Sequence, residues 1–503
     1  MGPGGPLDLQ NRWGALSASS EGSFPSPPAK QESAVAKTDS REPPPRPPAL
    51  GSLLALPAVA ELVRNHGHQR VLEALRECRT ESLAAPARGG ARPGAPNPEL
   101  EIAARAALWL GPSRRLRPVI NGTGVVVHTN LGRAPIAAAA ARQAAALGSR
   151  YSNLELDLDS GRRGDRQDLL GDLLQELTGA EAAMVVNNGA AAVLLALTAL
   201  CRGKEVVVSR GEAIEIGGGF RIPEILRLSG ARLVDVGTTN RTRLGDYAQA
   251  IGPRTAAFLR VHPSNFRIQG FTSRAPVGEL AELAHRRGLL LLEDLGSGLL
   301  PPVLPALSGE EPLRRSIAAG VDVVVASGDK LLGASQAGLI VGREQLLRTL
   351  RRHPLARALR PDKLQLSVLE ETLLCYANPG RLEEIPVWQM LRVRPEQLRR
   401  RALGWAERLR QAGAETEVVS LEGTVGGGAA PGSRLDSWGI LVRHPRPRRL
   451  RARLLRTQPP VLCLERPGGA AIDARTVLPG EDEELLSSLL EALRPDGEAG
   501  TGA

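Results

Sequence analysis

Lysine is scarce in this chain and so are aromatic residues, and each scarcity narrows what the protein can do. Of the 64 basic residues only Lys30, Lys37, Lys204, Lys330 and Lys363 are lysine, the other 59 being arginine. Cationic surface work therefore falls to arginine. A lysine beside buried sequence becomes a candidate for chemistry that needs an amine, as a nucleophile or as the Schiff-base partner of an aldehyde. Aromatics make up 3% of the residues, too few for broad platforms on which single-stranded bases stack. The four cysteines, Cys78, Cys201, Cys375 and Cys463, stand far apart without a C-x-x-C pair. They indicate neither a metal site nor a disulfide framework, and a reducing, cytoplasmic setting fits them best. No apolar run approaches eighteen residues, and Met1-Gly2-Pro3-Gly4 leads into polar sequence without a signal-peptide pattern. Neither export nor a membrane span is expected.

A chain of 503 residues, 42% of them apolar, has room for about three domains of roughly 150 residues and a sizeable core. Its net charge of +10 and pI near 10.1 suit a polyanionic partner. They suit a generally arginine-rich composition equally well, so charge is weak support for nucleic acid. Residues 1–50 are rich in Pro, Ser and Gly and end in Pro43-Pro44-Pro45-Arg46-Pro47-Pro48, the composition of a disordered extension. Residues 51–117 read as a small, mildly basic helical domain: one helical pattern from Leu53 to about Leu83, a Pro/Gly/Arg linker from Ala84 to Asn97, and a helix from Pro98 to Leu110. A solvated helical face explains its charge as well as RNA contact does.

From residue 118 to 385 short apolar runs alternate with helical segments, the strands falling at Ala183–Val186, Glu205–Ser209, Arg232–Val236, Ala256–Val261, Leu289–Glu293 and Val321–Ala326. Such alternation predicts a mostly parallel α/β sheet with ligands at the carboxyl ends of its strands. Residues 386–495 change texture to a compact α+β domain, opened by a basic amphipathic helix from Arg394 to Ala412, and 496–503 form a tail.

Three motifs sit at strand ends. The run Val321 to Ala326 stops at Ser327-Gly328-Asp329-Lys330 and leads into a second strand, Gly338 to Val341, so a lysine is held where a buried strand ends. A snorkelling lysine at a strand end is the bland alternative. Asn187-Asn188-Gly189-Ala190-Ala191 follows a strand and opens a helix, a place where free N–H groups can cradle phosphate; an ordinary β–α turn is its equal. Asp294 ends a strand of four leucines, where a carboxylate needs a cationic partner such as a pyridinium nitrogen. It precedes Lys330 by 36 residues, the spacing of adjacent strands joined by a helix. Phosphate cradle, buried aspartate and strand-end lysine, in that order, are the three anchors of pyridoxal phosphate.

Other stretches carry more functional groups than connectors need: Asn121 to Arg133, Ser209 to Glu212 with Gly217 to Arg221, and Val261 to Phe266. His262 follows a strand, where an imidazole could stack on a flat ring or serve as a core histidine with satisfied hydrogen bonds. Arg133, Arg357 and Arg360 could take an anion in the fork of guanidinium.

The stretches INGTGVVVHTNLGRAPI (120–136), YSNLELDLDSGRRGDR (151–166), VVNNGAAAVLL (185–195), VSRGEAIEIGGGFRIPEI (208–225), GTTNRTRLGDY (237–247), VHPSNFRIQGFT (261–272) and SGDKLLGASQAG (327–338) together resemble bacterial selenocysteine synthase, the L-seryl-tRNA(Sec) selenium transferase or SelA family. The resemblance implies an α/β, fold-type I pyridoxal phosphate enzyme of the aspartate aminotransferase kind, with Lys330 as Schiff-base lysine and Asp329 as a catalytic neighbour. It implies cofactor binding by Asp294, Asn187, Asn188, Gly189, His262 and Ser327, and selenophosphate binding by Arg133, Arg357 and Arg360. It further implies contact of the N-terminal domain with the selenocysteine tRNA, and a homo-oligomeric ring of dimers, a decamer, with sites at subunit interfaces. Neither DNA nor membrane is an expected partner. One departure is visible: the family usually has three asparagines where this chain has Asn187-Asn188-Gly189, though glycine still permits backbone donation to phosphate.

The reaction so implied is loss of the seryl β-hydroxyl to leave a dehydroalanyl group on the tRNA, followed by addition of selenium from selenophosphate. Two rivals stand beside it: a lyase of the same fold acting on a small amino acid or sugar acid, and a non-catalytic RNA-binding protein. The N-terminal domain weighs against the lyase, to which it offers no task, and the low aromatic content against the RNA-binding protein.

Overall fold

The computed structural model describes residues 48–84, 98–110, 115–216 and 219–494. The expected disordered extension up to residue 47, the linker 85–97, Gly217 and Gly218, and the tail 496–503 lie outside the described residues. The chain divides into two compact units, residues 1–115 and 116–503.

In the first unit the helical pattern read as continuous from Leu53 is broken into three helices, Leu50–Leu54, Pro57–His66 and His68–Ala84. Pro57, at a helix start, lacks the N–H that continuation would need, and Gly67 takes φ +83, which no neighbouring residue type adopts as cheaply. The fourth helix is Pro98–Leu110, and Leu53, Val59, Val71, Leu75, Ile102 and Ala106 form the core between them.

In the second unit seven strands make one sheet in the order Ala182–Val186, Gly338–Gly342, Val323–Ser327, Leu290–Gly296, Thr255–Val261, Glu205–Ser209 and Arg232–Val236. All pairings are parallel except those of Gly338–Gly342, which runs antiparallel to both neighbours. Successive residues feed opposite faces: Ala183 and Val185 join one core, Met184 and Val186 the other. A sheet covered on both faces needs the near-continuous apolar strands seen here. All seven strands fall where the apolar runs predict them. The fold is thus a mostly parallel α/β sandwich, and the carboxyl ends of Val323–Ser327 and Leu290–Gly296 lie side by side at its middle.

A second, six-stranded sheet holds the C-terminal strands Thr416–Gly426, Leu435–Arg443, Val461–Arg466 and Gly469–Asp473, and takes in Ile120–Gly122 and Val125–Val127 at its edges. Ile120 pairs with Val461 and Val125 with Thr424, both in parallel. Helices Pro395–Gln411, Pro447–Leu454 and Asp482–Leu493 cover one face through Leu398, Trp405, Leu450, Leu485 and Leu489. The motif beginning at Asn121 is thereby fastened to the C-terminal part of the chain. The strand Thr416–Gly426 is one that sequence reading misses, because Glu417, Ser420 and Glu422 break its apolar pattern. Among the described residues no helix is long and apolar enough to cross a membrane.

The antiparallel strand also positions the asparagine turn. A Cβ at Gly338 would overlap the Asn188 carbonyl oxygen and lie 2.8 Å from Val186 Cγ2. Gly338→Ala should therefore cost about 1–3 kcal/mol, as overpacked cores do; urea unfolding should show a lower midpoint at unchanged slope.

Candidate active site

Three strand ends and one glycine loop build the site around Lys330. The loop after Val323–Ser327 is tied down by its own backbone: Gly328 N donates to Ala337 O (2.8 Å), Ala334 N to Gly328 O (2.9 Å) and Leu331 N to Ser297 O (2.9 Å). The Tyr376 hydroxyl reaches the Leu331 and Leu332 carbonyls at 3.2 and 3.0 Å and accepts from Trp388 Nε1 at 2.6 Å. Trp388 is fully buried, so the lysine loop hangs on the hydrophobic core.

Lys330 is 5% exposed. Its amine lies where two side chains are missing: a Cβ at Gly428 would come within 2.8 Å of Nζ, and one at Gly296 within 3.5 Å. Gly428 has φ +89 and Gly296 φ +67, so glycine meets both the conformational and the spatial demand. Burial depresses the Lys330 amine below its ordinary value; the carboxylate of Asp294 opposes that shift, and Arg133 reinforces it. Asp294 lies in the strand Leu290–Gly296, beside the point where pairing shifts from Val325–Asp294 to Ala326–Gly296, an irregularity of the kind that re-aims side chains near functional sites. Burial pushes its carboxyl up to about 6, against the pull of Lys330 and of the Gly296 N–H, which donates to Oδ1 at 3.1 Å. Both groups are thus held back from their charged forms by lack of solvation.

Asp329 accepts from Arg133 Nη1 at 2.7 Å through Oδ2, and its carbonyl accepts from Ala134 N at 3.2 Å. Arg133 itself takes φ +68, a left-handed conformation uncommon for arginine and typical of functional positions. Ser327, Asn188 and Gly189 meet at the start of the helix Gly189–Cys201. Asn188 Oδ1 caps that helix by accepting from Ala191 N at 2.8 Å, and a Cβ at Gly189 would overlap Ser327 Oγ. A side chain at the third-asparagine position would therefore require the Ser327 hydroxyl to turn away. Asn187 N donates to Leu359 O at 2.9 Å.

His262 is buried, with its backbone N donating to Asp294 O at 2.8 Å and its Nε2 3.5 Å from Glu310 Oε1. Burial lowers its pKa, with Glu310 opposing. It is not a core histidine with satisfied hydrogen bonds, because Nδ1 has no partner among the described residues. Asn187 Oδ1, Ser297 Oγ and Asp329 Oδ1 are buried and unpartnered in the same sense. Four such atoms on the turns and strand ends next to Lys330 and Asp294 in the fold ask for hydrogen bonds from a ligand.

Lys330, Asp294, Asp329, Arg133, Ser327, Asn187, Asn188, Gly189 and His262 are thus gathered at the strand ends. Arg357 and Arg360 are placed less directly. Arg357 is exposed on the short helix Pro354–Ala358, and Arg360 lies 3.3 Å from Glu155, which also holds Arg163 and Arg166. Among the described residues no hydrogen bond or ion pair joins either arginine to Arg133, Asp329 or Lys330; Leu359 between them reaches the Asn187 turn through its carbonyl. Sequence reasoning missed Gly428 and Glu310. The run Gly426-Gly427-Gly428 was a visible signal, whereas Glu310 stands in an unremarkable turn.

The profile of the L-seryl-tRNA selenium transferase family matches residues 119–478. Proteins named L-seryl-tRNA(Sec) selenium transferase are similar over most of the chain. That of Moorella thermoacetica is 51% identical over 385 residues, 75% of this chain and 82% of the relative. That of Hyphomonas neptunium is 42% identical over 459 residues, 89% of this chain and 97% of the relative. Among solved structures, D-glucosaminate-6-phosphate ammonia-lyase superposes with a TM-score of 0.54 at 23% identity, covering 75% of this chain and 96% of that one, a likeness of fold.

The charges around Lys330 make a pH prediction. Only the neutral amine attacks an aldehyde, so reaction at Lys330 should fail as pH falls through its lowered pKa. Asp294 raises that pKa; Asp294→Asn should therefore move the acid limb to lower pH, as read from visible absorbance on adding an aldehyde.

Proposed function

The chain belongs to the L-seryl-tRNA selenium transferase family, and from that premise we propose how its residues divide the work of turning seryl-tRNA(Sec) into selenocysteinyl-tRNA(Sec). The cofactor is pyridoxal 5′-phosphate, and the residues present fit it. The helix N-terminus at Gly189 offers N–H groups beside Ser327, the desolvated carboxyl of Asp294 feels the charge of Lys330 and is left raised by burial all the same, and buried polar atoms of Asn187, His262, Ser297 and Asp329 lack partners among the described residues. When bound, the cofactor supplies an aldehyde for an amine and a protonated ring that stores the electron pair left behind when the seryl α-carbon loses its proton.

The buried amine of Lys330 beside Asp294 carries the reading. Lys330 would hold the cofactor's aldehyde, and its freed Nζ would take the seryl α-proton, a role that burial favours by disfavouring the charged amine. Asp294 would hold the proton on the ring nitrogen, whose positive charge would replace the solvation that burial removes. Asn187, Asn188, Gly189 and Ser327 would cradle the phosphate, and His262 would lie against the ring. Asp329 steadies Arg133, and Arg133, Arg357 and Arg360 bind selenophosphate through charge-assisted hydrogen bonds. Residues 51–117 contact the tRNA body, the chain assembles as a ring of dimers, and it works in the cytoplasm, where aminoacylated tRNA is found.

Lys330→Ala should leave tRNA binding by gel shift within about twofold while lowering conversion at least a hundredfold, the order expected when a proton-transfer group is removed. Turnover retained in that variant would contradict the assignment.

A further inference from the structure

His262 forms part of the wall of a cleft of about 660 Å³ whose other side is the loop from Ala430 to Arg434. That loop continues from Gly428, the residue packed on the Lys330 amine. Two residues span at most about 7 Å, so the cleft begins close to the reacting nitrogen. We propose that it holds the 3′-terminal nucleotide of the aminoacyl-tRNA, an inference that rests on the function proposed above.

The chemistry of the substrate requires such a place. The seryl group is esterified to the last ribose of the tRNA, so a serine bound at Lys330 brings that nucleotide within a few bonds of the site. The lining suits it. Arg241, Arg267, Arg274 and Arg434 face the cleft with one carboxylate among them, Glu212, and Arg274 occupies that carboxylate at 2.7 Å. Arg267 has no hydrogen bond or ion pair among the described residues, and Arg434 reaches only Glu422, at 3.5 Å. Two guanidinium groups thus remain for phosphate oxygens. Asn240 and Ser433 line the cleft with polar groups of the kind that read ribose hydroxyls, and half-buried Phe266 presents an apolar surface for a base. The volume falls within the ~300–1,000 Å³ of small-molecule sites. A site for a bare oxyanion needs neither the apolar wall nor this volume.

Adenosine 5′-monophosphate and inorganic phosphate titrated separately into the cofactor-loaded protein test the assignment, the cofactor keeping the phosphate cradle filled. The nucleotide should bind saturably and at least about tenfold more tightly than phosphate. Arg267→Ala should weaken nucleotide binding about tenfold, as loss of one charge-assisted contact predicts, and Arg434→Ala should weaken it in the same direction. Absence of saturable binding, affinity unchanged in both variants, or phosphate binding as tightly as the nucleotide would overturn the proposal. Selenium transfer by the unmodified protein separates the two readings. Transfer without nucleotide binding overturns the cleft assignment alone, whereas nucleotide binding without transfer supports the cleft and overturns the proposed function.

Discussion

The desolvation of one lysine and one aspartate is the constraint on which the rest of the site depends. Lys330 and Asp294 sit at the ends of neighbouring parallel strands, and burial drives their pKa values in opposite directions. Isolated buried charges are costly, so a protein keeps such a pair only where the surroundings offset the cost or a ligand does. Here the surroundings supply rigidity: a lysine loop hung through Tyr376 on the buried Trp388, and glycines at 296 and 428 that leave the amine room. Unsatisfied polar atoms at Asn187, His262, Ser297 and Asp329 leave the remaining polar demand for a cofactor that is both phosphorylated and cationic.

The sheet topology explains why these groups meet. Lys330 and Asp294 need only the parallel pairing of Val323–Ser327 with Leu290–Gly296, and the asparagine turn after Ala182–Val186 needs only Gly338–Gly342 in between. Arg133 and Gly428 come from farther away. Arg133 follows strands that belong to the second sheet, and Gly428 follows a strand of that same sheet. The six-stranded sheet therefore delivers an arginine to Asp329 and a glycine loop to the Lys330 amine, which makes the C-terminal part of the chain a component of the site.

How much of this could be read in the sequence follows from the range of the interactions involved. The seven strands of the large sheet were legible because strands buried on both faces are written as local apolar runs, and Asp294 and Lys330 because each stands at or just after the end of such a run. The break of the first helical pattern at Gly67 escaped notice, since a single glycine within helical periodicity is ambiguous until its φ is seen. The pairing of Ile120 with Val461 and the approach of Gly428 to Lys330 join residues far apart in the chain, and no local periodicity encodes them. Arg357 and Arg360 were legible only as guanidinium forks for some anion, selenophosphate coming from the resemblance; Leu359 between them reaches the Asn187 turn and Arg360 meets Glu155, and among the described residues neither arginine bonds to the lysine.

The most direct measurement is to incubate the purified protein with seryl-tRNA(Sec) and labelled selenophosphate, then identify the amino acid released from the tRNA. Selenocysteine is the predicted product. Unchanged serine, from protein shown to carry its cofactor, would contradict the account.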